Sequence, residues 1–258
     1  MYAIEICDLS KSYNKSTALS SLNLAIENNI IMGLVGPNGH GKSTTINILA
    51  GVIRKNGGTI KINGKALNYL DFKYKKDVGF LLENSTLIEK LSAEEYLTFV
   101  AMMHNLNKDE AKKKIEELLE YFDLKNTKNK WIESFSAGMK KKVSLAAAII
   151  HTPKILILDE PFENVDPVSR KKMKDILKRM QLKGTTVLIT SHALAEVEDF
   201  CDEVAIINKG KIVYKSATKE IRSKIKNELT QETYQSLEEI FIDLTTEKED
   251  QEKTLSWL

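Results

Sequence analysis

Residues 36–43 read GPNGHGKS, which sets Gly36, Gly39 and Gly41 directly before Lys42 and Ser43. The spacing fits G-x-x-x-x-G-K-[ST], with Gly36, Gly41, Lys42 and Ser43 in the fixed places. An apolar run containing Ile30, Ile31, Leu34 and Val35 precedes it, and a helical pattern from Ser43 to Ala50 follows. The chemistry open to such a stretch is polyphosphate binding. Glycines let successive backbone N–H groups turn inward into a concave anion nest, and the helix behind adds unpaired amides and the positive end of its dipole. Lys42 then brings a full charge to the β and γ phosphates, and the Ser43 hydroxyl can ligate Mg²⁺. Asn38, Gly39 and Thr44 complete the stretch expected to line the phosphates. A flexible loop that happens to hold a lysine needs neither the strand before nor the helix after, so a nucleoside triphosphate site is the working premise.

The second group is Asp159 and Glu160, which end the apolar run ILIL at residues 155–158. A continuous run of this kind reads as a fully buried parallel strand, and ligands bind at the carboxyl ends of such strands. Asp159 is placed to hold the Mg²⁺ shell and Glu160 to accept a proton from an attacking water. The other reading, two surface acids at a strand end, is the weaker one beside the phosphate loop. A GTPase would need an N-K-x-D guanine reader. The nearest stretch, Asn208-Lys209-Gly210-Lys211, puts a lysine where the aspartate must stand, so GTP is set aside.

Composition bounds the rest. A chain of 258 residues with 42% hydrophobic and 29% charged content is long enough for a substantial core and belongs to no disorder class. A net charge of +2, from 38 basic and 36 acidic residues, makes no electrostatic case for nucleic acid, and none is expected as a partner. Cys7 and Cys201 are too few for a disulfide framework and read as free thiols in a reducing cytosol. No apolar window reaches 18 residues and the N-terminus lacks a signal-peptide core, so the expected location is cytoplasmic.

The elements that must position these residues follow from pattern. Residues 2–9, 22–27 and 30–36 read as short strands, 57–64 as turn, strand and turn, and 77–83 as a strand ending at Glu83. From Ser92 to His151 the pattern turns helical. A capping box of Ser92 and Glu95 opens a helix expected to bury Tyr96, Phe99, Val100 and Met103 on one face, and a second helix should bury Ile115, Leu118, Leu119 and Phe122. The lysine-rich runs of this stretch read as solvated helix surface. Residues 154–192 then form a β-α-β unit with Gly184 closing its helix, and 202–214 form a hairpin around Lys209 and Gly210. Polar helical pieces follow Ala217, ending in the acidic run 247–252.

With these motifs in order, residues 135–139, FSAGM, become informative. Here the chain resembles the ATP-binding cassette (ABC) family, whose second diagnostic motif, usually L-S-G-G-Q, opens a helix between a helical insert and the buried carboxylate strand. Ser136 and Gly138 keep the serine and second glycine, while Phe135, Ala137 and Met139 depart from the pattern. The resemblance covers nearly the whole chain and implies an α/β fold: a P-loop NTPase (RecA-like) core with an N-terminal antiparallel β subdomain and an inserted α-helical subdomain. It implies one domain over 1–258, with the core at 1–85 and 152–216, the helical subdomain at 86–151 and a helical tail at 217–258. It further implies that Tyr13 stacks on adenine, that Asp166 communicates between two nucleotide sites, and that His192 contacts the γ-phosphate. Glu83 stands where the family usually has a glutamine near Mg²⁺, a departure that adds negative charge and removes an amide donor.

The family likeness implies Lys42, Glu160 and His192 as the groups acting on ATP, and Ser43, Glu83 and Asp159 as those around Mg²⁺. It implies a head-to-tail dimer with a like or unlike second ABC subunit. In it each ATP lies between the phosphate loop of one copy and the Ser136–Gly138 turn of the other. An integral-membrane permease subunit is the implied third partner, holding the chain at the inner face of the membrane. The wording of the sequence looks most like bacterial exporters of drugs, peptides or antibiotics. A cassette ATPase acting in translation or DNA maintenance is the alternative, and such relatives generally carry tandem cassettes or a long coiled coil.

Overall fold

The computed structural model describes residues 2–14, 16–70, 72–83, 87–224 and 234–246. The acidic run 247–252 lies outside the described residues. In chain order, β1 (Tyr2–Tyr13) and β2 (Ser16–Glu27) form an antiparallel hairpin, with Ile4 opposite Ile26 and Ile6 opposite Leu24. Both are longer than their apolar stretches alone predict. Next come β3 (Ile31–Val35), α1 (Lys42–Leu49), β4 (Gly57–Ile62), the short β5 (Lys65–Ala66) and β6 (Val78–Leu81). The helical stretch holds α2 (Ala93–Met103), α3 (Lys108–Tyr121) and α4 (Ala137–Ile149). Then β7 (Ile155–Leu158), α5 (Pro167–Leu182) and β8 (Thr186–Thr190) make the expected β-α-β unit. The chain continues through α6 (Leu194–Phe200), the hairpin β9 (Glu203–Asn208) and β10 (Lys211–Ala217), α7 (Thr218–Lys224) and α8 (Leu237–Thr245).

The strands form two sheets. One is antiparallel, in the order β2-β1-β4-β5. The other runs β10-β9-β3-β8-β7-β6, parallel except for β10 at its edge. Side chains of a strand alternate between faces, and here both faces are covered. Ile31 and Val35 of β3, Leu156 and Leu158 of β7, and Val187 and Ile189 of β8 join a core shared with α4, α5 and α6. Met32 and Leu34, Ile155 and Ile157, and Leu188 point the other way, into a core shared with α1 and the antiparallel sheet. This double burial is why these strands read as unbroken apolar runs.

The helical stretch departs from expectation on one face. The Ser92–Glu95 capping box is present, and α3 buries Ile115, Leu119 and Phe122 with Leu118 packed beside them. On α2, however, the buried line is Ala93, Leu97 and Ala101; Tyr96 and Val100 flank it, while Phe99 is 45% and Met103 67% exposed. Alanines one and two turns along a helix let neighbouring helices come close, a packing advantage that large side chains lack and that a hydrophobicity pattern does not register. The lysine runs are also corrected in part. Lys112 and Lys113 are solvated, but Lys142 is buried and Lys141 half-buried on α4.

His104, capping α2, and His151, just beyond α4, stack with ring centroids 3.7 Å apart and planes 14° from parallel. Burial holds the His151 imidazole down at about 4, helped by the neighbouring His104 and Lys114 and opposed by Asp77. The unfolded chain takes up that proton near 6.5, so stability is full above this value and is lost as pH falls toward 4. Discounted for partial exposure of the ring, the loss is about 1–2 kcal/mol. Urea unfolding at pH 7 and pH 5 should show His151→Phe losing less stability between the two than the parent; equal losses would remove His151 as the cause.

Candidate nucleotide-binding site

The parallel order β3-β8-β7-β6 brings four strand ends side by side. The loop after β3 is residues 36–41, the turn after β8 carries His192, that after β7 carries Asp159 and Glu160, and that after β6 carries Glu83. Residues far apart in sequence therefore meet along one rim.

The loop itself is held tightly. Gly41 has φ +112° at the start of α1, and a Cβ there would lie 2.6 Å from the Leu19 side chain and 2.9 Å from the Ala18 carbonyl oxygen. A Cβ on Gly36 would fall 2.3 Å from the Ile207 carbonyl oxygen. Only glycine fits either position, because the loop threads between β2 and β9. Lys42 is buried; its Nζ donates to the Gly36 oxygen at 2.6 Å and to the Pro37 oxygen at 3.2 Å. Burial pushes its ammonium below the usual lysine range, while the charges of Glu160, Asp159 and Glu83 hold it up. Asn38 and Gly39 lie exposed at the loop's crest and Thr44 is half-buried on α1. His40, given no role above, fastens the loop sideways: its Nδ1 is 2.8 Å from Asn208 Oδ1, and Asn208 Nδ2 donates to the Leu244 oxygen of α8 at 2.9 Å.

Opposite the loop, Ser43 Oγ donates to Glu83 Oε2 at 3.3 Å. Asp159 is 1% exposed, and its Oδ1 accepts from Thr190 Oγ1 at 2.5 Å. Burial pushes the Asp159 carboxyl up; hydrogen bonds from Thr190 and Ser43 pull it back, and the Glu83 charge adds to the rise. Thr190 Oγ1 also accepts from the Glu160 N–H at 3.0 Å. Glu160 sits at φ +46°, with Oε2 3.1 Å from His192 Nδ1. Its carboxyl is likewise raised by burial, against the lowering effect of His192 and Lys42. A half-buried carboxylate with a raised pKa beside a histidine is suited to taking a proton near neutral pH.

The Ser43, Glu83 and Asp159 oxygens are hard donors of the kind Mg²⁺ takes. Among the described residues no group of three or more His, Cys, Asp or Glu side chains could hold a metal. The chemistry of these three oxygen donors fits Mg²⁺.

Other sequence-predicted residues lie in two further places. Ser136 caps α4, its Oγ accepting from the Met139 N–H at 3.3 Å, and Asp166 caps α5, accepting from the Ser169 N–H at 2.9 Å. The Asp166 carboxyl is held low by its bonds to Ser169. A Cβ on Gly138 would stand 3.1 Å from the Asn164 oxygen, which packs the start of α4 against the turn leading to Asp166. Tyr13, at the exposed end of β1, has the Lys11 ammonium 4.9 Å from its ring centroid. None of these residues hydrogen-bonds to the Lys42–Glu160 group among the described residues. Sequence reading missed Thr190, whose signal is a hydroxyl at the end of a buried strand, and Lys141, which nothing in a run of lysines sets apart.

The family described as ABC transporter matches residues 19–163, more than half of the chain. This chain belongs to the ABC transporter family. Among curated relatives of this ABC chain, the linearmycin resistance ATP-binding protein LnrL of Bacillus subtilis (strain 168) is 36% identical over 80% of the chain and 66% of the relative. The daunorubicin/doxorubicin resistance ATP-binding protein DrrA of Streptomyces peucetius is 32% identical over 86% and 68%. The lantibiotic transport ATP-binding protein SrtF of Streptococcus pyogenes is 34% identical over 81% and 89%. The chain thus spans about two thirds of the length of the first two. A solved structure of an ATP-binding subunit of an ABC transporter superposes with a TM-score of 0.85 at 30% identity, covering 95% of this chain and 100% of that one. The ABC fold is therefore that of a P-loop NTPase with an antiparallel β subdomain and a helical insert. No helix among the described residues is long and apolar enough to cross a membrane.

Proposed function

We propose that this ABC chain is the ATP-hydrolysing subunit that energises a membrane exporter of drug, peptide or antibiotic-type compounds. The observation that carries it is the meeting of Lys42, Ser43, Glu83, Asp159, Glu160 and His192 on one rim of the parallel sheet. The resistance and lantibiotic-transport names of the relatives favour export.

In this reading the loop amides of Gly36, Asn38, Gly39 and Gly41, the Lys42 ammonium and the Thr44 end of α1 hold the phosphates, and Tyr13 stacks on adenine. Ser43, Asp159 and Glu83 would hold Mg²⁺, which when bound offsets phosphate charge. Glu160 takes the proton of the attacking water while His192 faces the γ-phosphate. A second ABC subunit presents its Ser136–Gly138 turn to the same nucleotide, and Asp166 lies where the two sites communicate. ATP then closes the pair and hydrolysis releases it. The division into a core at 1–85 and 152–216, an insert at 86–151 and a tail at 217–258 gives each part a task in that stroke.

The permease meets the helical insert. A groove of about 590 Å³ there is lined by Leu91, Phe99, Met102 and Trp131, and its exposed apolar side chains suit a membrane-protein loop. That docking places the chain at the cytoplasmic face of the membrane. Affinity purification of the tagged chain from gently solubilised native membranes tests the assignment: a stoichiometric multi-span protein is expected, whereas recovery with ribosomes or DNA-associated proteins would overturn the transport role.

Glu83 is tested separately. Its carboxylate accepts from the Ser43 hydroxyl, so Glu83→Gln removes one negative charge beside the cation. The half-saturating Mg²⁺ concentration for hydrolysis should rise several-fold, because ligand charge sets cation affinity. An unchanged Mg²⁺ dependence would show that Glu83 has no part in the metal site.

A further inference from the structure

We infer that Lys141 is a positioning residue for hydrolysis, holding the Asp159–Glu160 backbone in the shape that aims the Glu160 carboxylate. The inference rests on the ATPase reading above. Lys141 projects from α4, whose first turn is capped by Ser136, and its Nζ donates to the Glu160 carbonyl oxygen at 2.7 Å and to the Asp159 carbonyl oxygen at 3.4 Å. Glu160 needs such support, because φ +46° lies in the left-handed region that a non-glycine residue adopts only when its surroundings enforce it. The enforcement comes from two sides. Thr190 on β8 takes the Glu160 N–H, and Lys141 on α4 binds its carbonyl.

The neighbouring lysines show that this contact is specific. Lys140 pairs with Glu89 on the surface at 2.5 Å, and Lys142 reaches Ser169 Oγ on α5 at 3.4 Å. Of the three, Lys141 alone reaches the carboxylate turn, beside a cavity of about 300 Å³ that it lines with Glu83, Glu163 and Asn164. The positive charge there faces Glu163, Asp159, Glu160 and Glu83, so it also keeps four carboxylates together at the rim. One helix thereby carries the Ser136 turn at its start and the backbone support of Glu160 one to two turns on.

The test uses the purified full chain with Mg²⁺ and ATP. Lys141→Met keeps length and stem but cannot donate, Lys141→Gln donates without charge, and Lys141→Arg keeps both charge and donors. With a charge-assisted hydrogen bond lost, Lys141→Met should lower kcat about 10-fold or more with ATP affinity unchanged, and Lys141→Arg should restore most of the rate. Amide hydrogen exchange at residues 159–163, measured without nucleotide, should quicken in Lys141→Met and return toward the parent in Lys141→Arg. Should Lys141→Met not fold, the same comparison is made between Lys141→Ala, which also cannot donate, and Lys141→Arg. Parental kcat and parental exchange in the non-donating variant, or equal defects in Met and Arg variants, would overturn the inference. Glu160→Gln, run alongside, separates the causes. Loss of turnover there with a fully active Lys141→Met sinks Lys141 alone, and full turnover in Glu160→Gln sinks both the base assignment and the support proposed for it.

Discussion

Glu160→Gln should slow ATP hydrolysis by about 10²-fold or more while ATP still binds, the scale expected for removing a positioned general base. The residue is half-buried beside His192, and this burial raises its carboxyl above the ordinary range, which makes it a stronger base than a solvated glutamate. Glutamine has the same size and retains an oxygen that can face His192, but it cannot accept the water's proton. Binding should survive because the substitution removes a negative charge from a rim that already holds Asp159 and Glu83, and a polyphosphate is repelled less by what remains. With closure intact and hydrolysis blocked, an ATP-bound dimer should accumulate. Phosphate release, a nucleotide-binding titration and gel filtration with ATP read the three quantities. Unimpaired phosphate release in the variant is the outcome that sinks Glu160 as the base.

Lys42→Ala has the opposite signature, a failure of binding itself. Its ammonium is the cation that the loop buries among Glu160, Asp159 and Glu83, and its Nζ also ties the Gly36 and Pro37 carbonyls together. In the proposed site alanine would remove the charge-assisted bonds to phosphate, worth about 1.5–3 kcal/mol, and would leave the carboxylates facing the nucleotide without a counter-charge. ATP affinity should fall about 10- to 100-fold, as 1.4 kcal/mol is tenfold. Calorimetry or fluorescent-nucleotide displacement measures it, and an affinity equal to the parent's would mean the phosphates sit elsewhere. The two variants together separate holding the nucleotide from cutting it.

Much of the site was open to reading because its physics is local. A phosphate loop needs glycines where the backbone turns and a lysine at the helix start, all within eight residues, and GPNGHGKS supplies them in one stretch. The ILIL run before Asp159 marks a strand buried on both faces, since nothing polar is tolerated there. The capping box at Ser92 is equally local. The α2 face was harder, because Phe99 and Met103 are as apolar as any core residue and only the approach of other helices selects Ala93, Leu97 and Ala101.

By itself, then, the sequence determined the phosphate loop, the carboxylate strand, the order of helices and strands and the likeness to ABC proteins, all of which depend on neighbours in the chain. The tertiary structure alone decided which strand ends share a rim. The order β3-β8-β7-β6 is not the chain order, and it is what sets Ser43 against Glu83 and Thr190 against Asp159. It also decided that one lysine of three on α4 turns inward to the Glu160 carbonyl. Identical side chains in a row differ only in the direction a helix points them, and that direction is fixed by packing against elements far away in sequence.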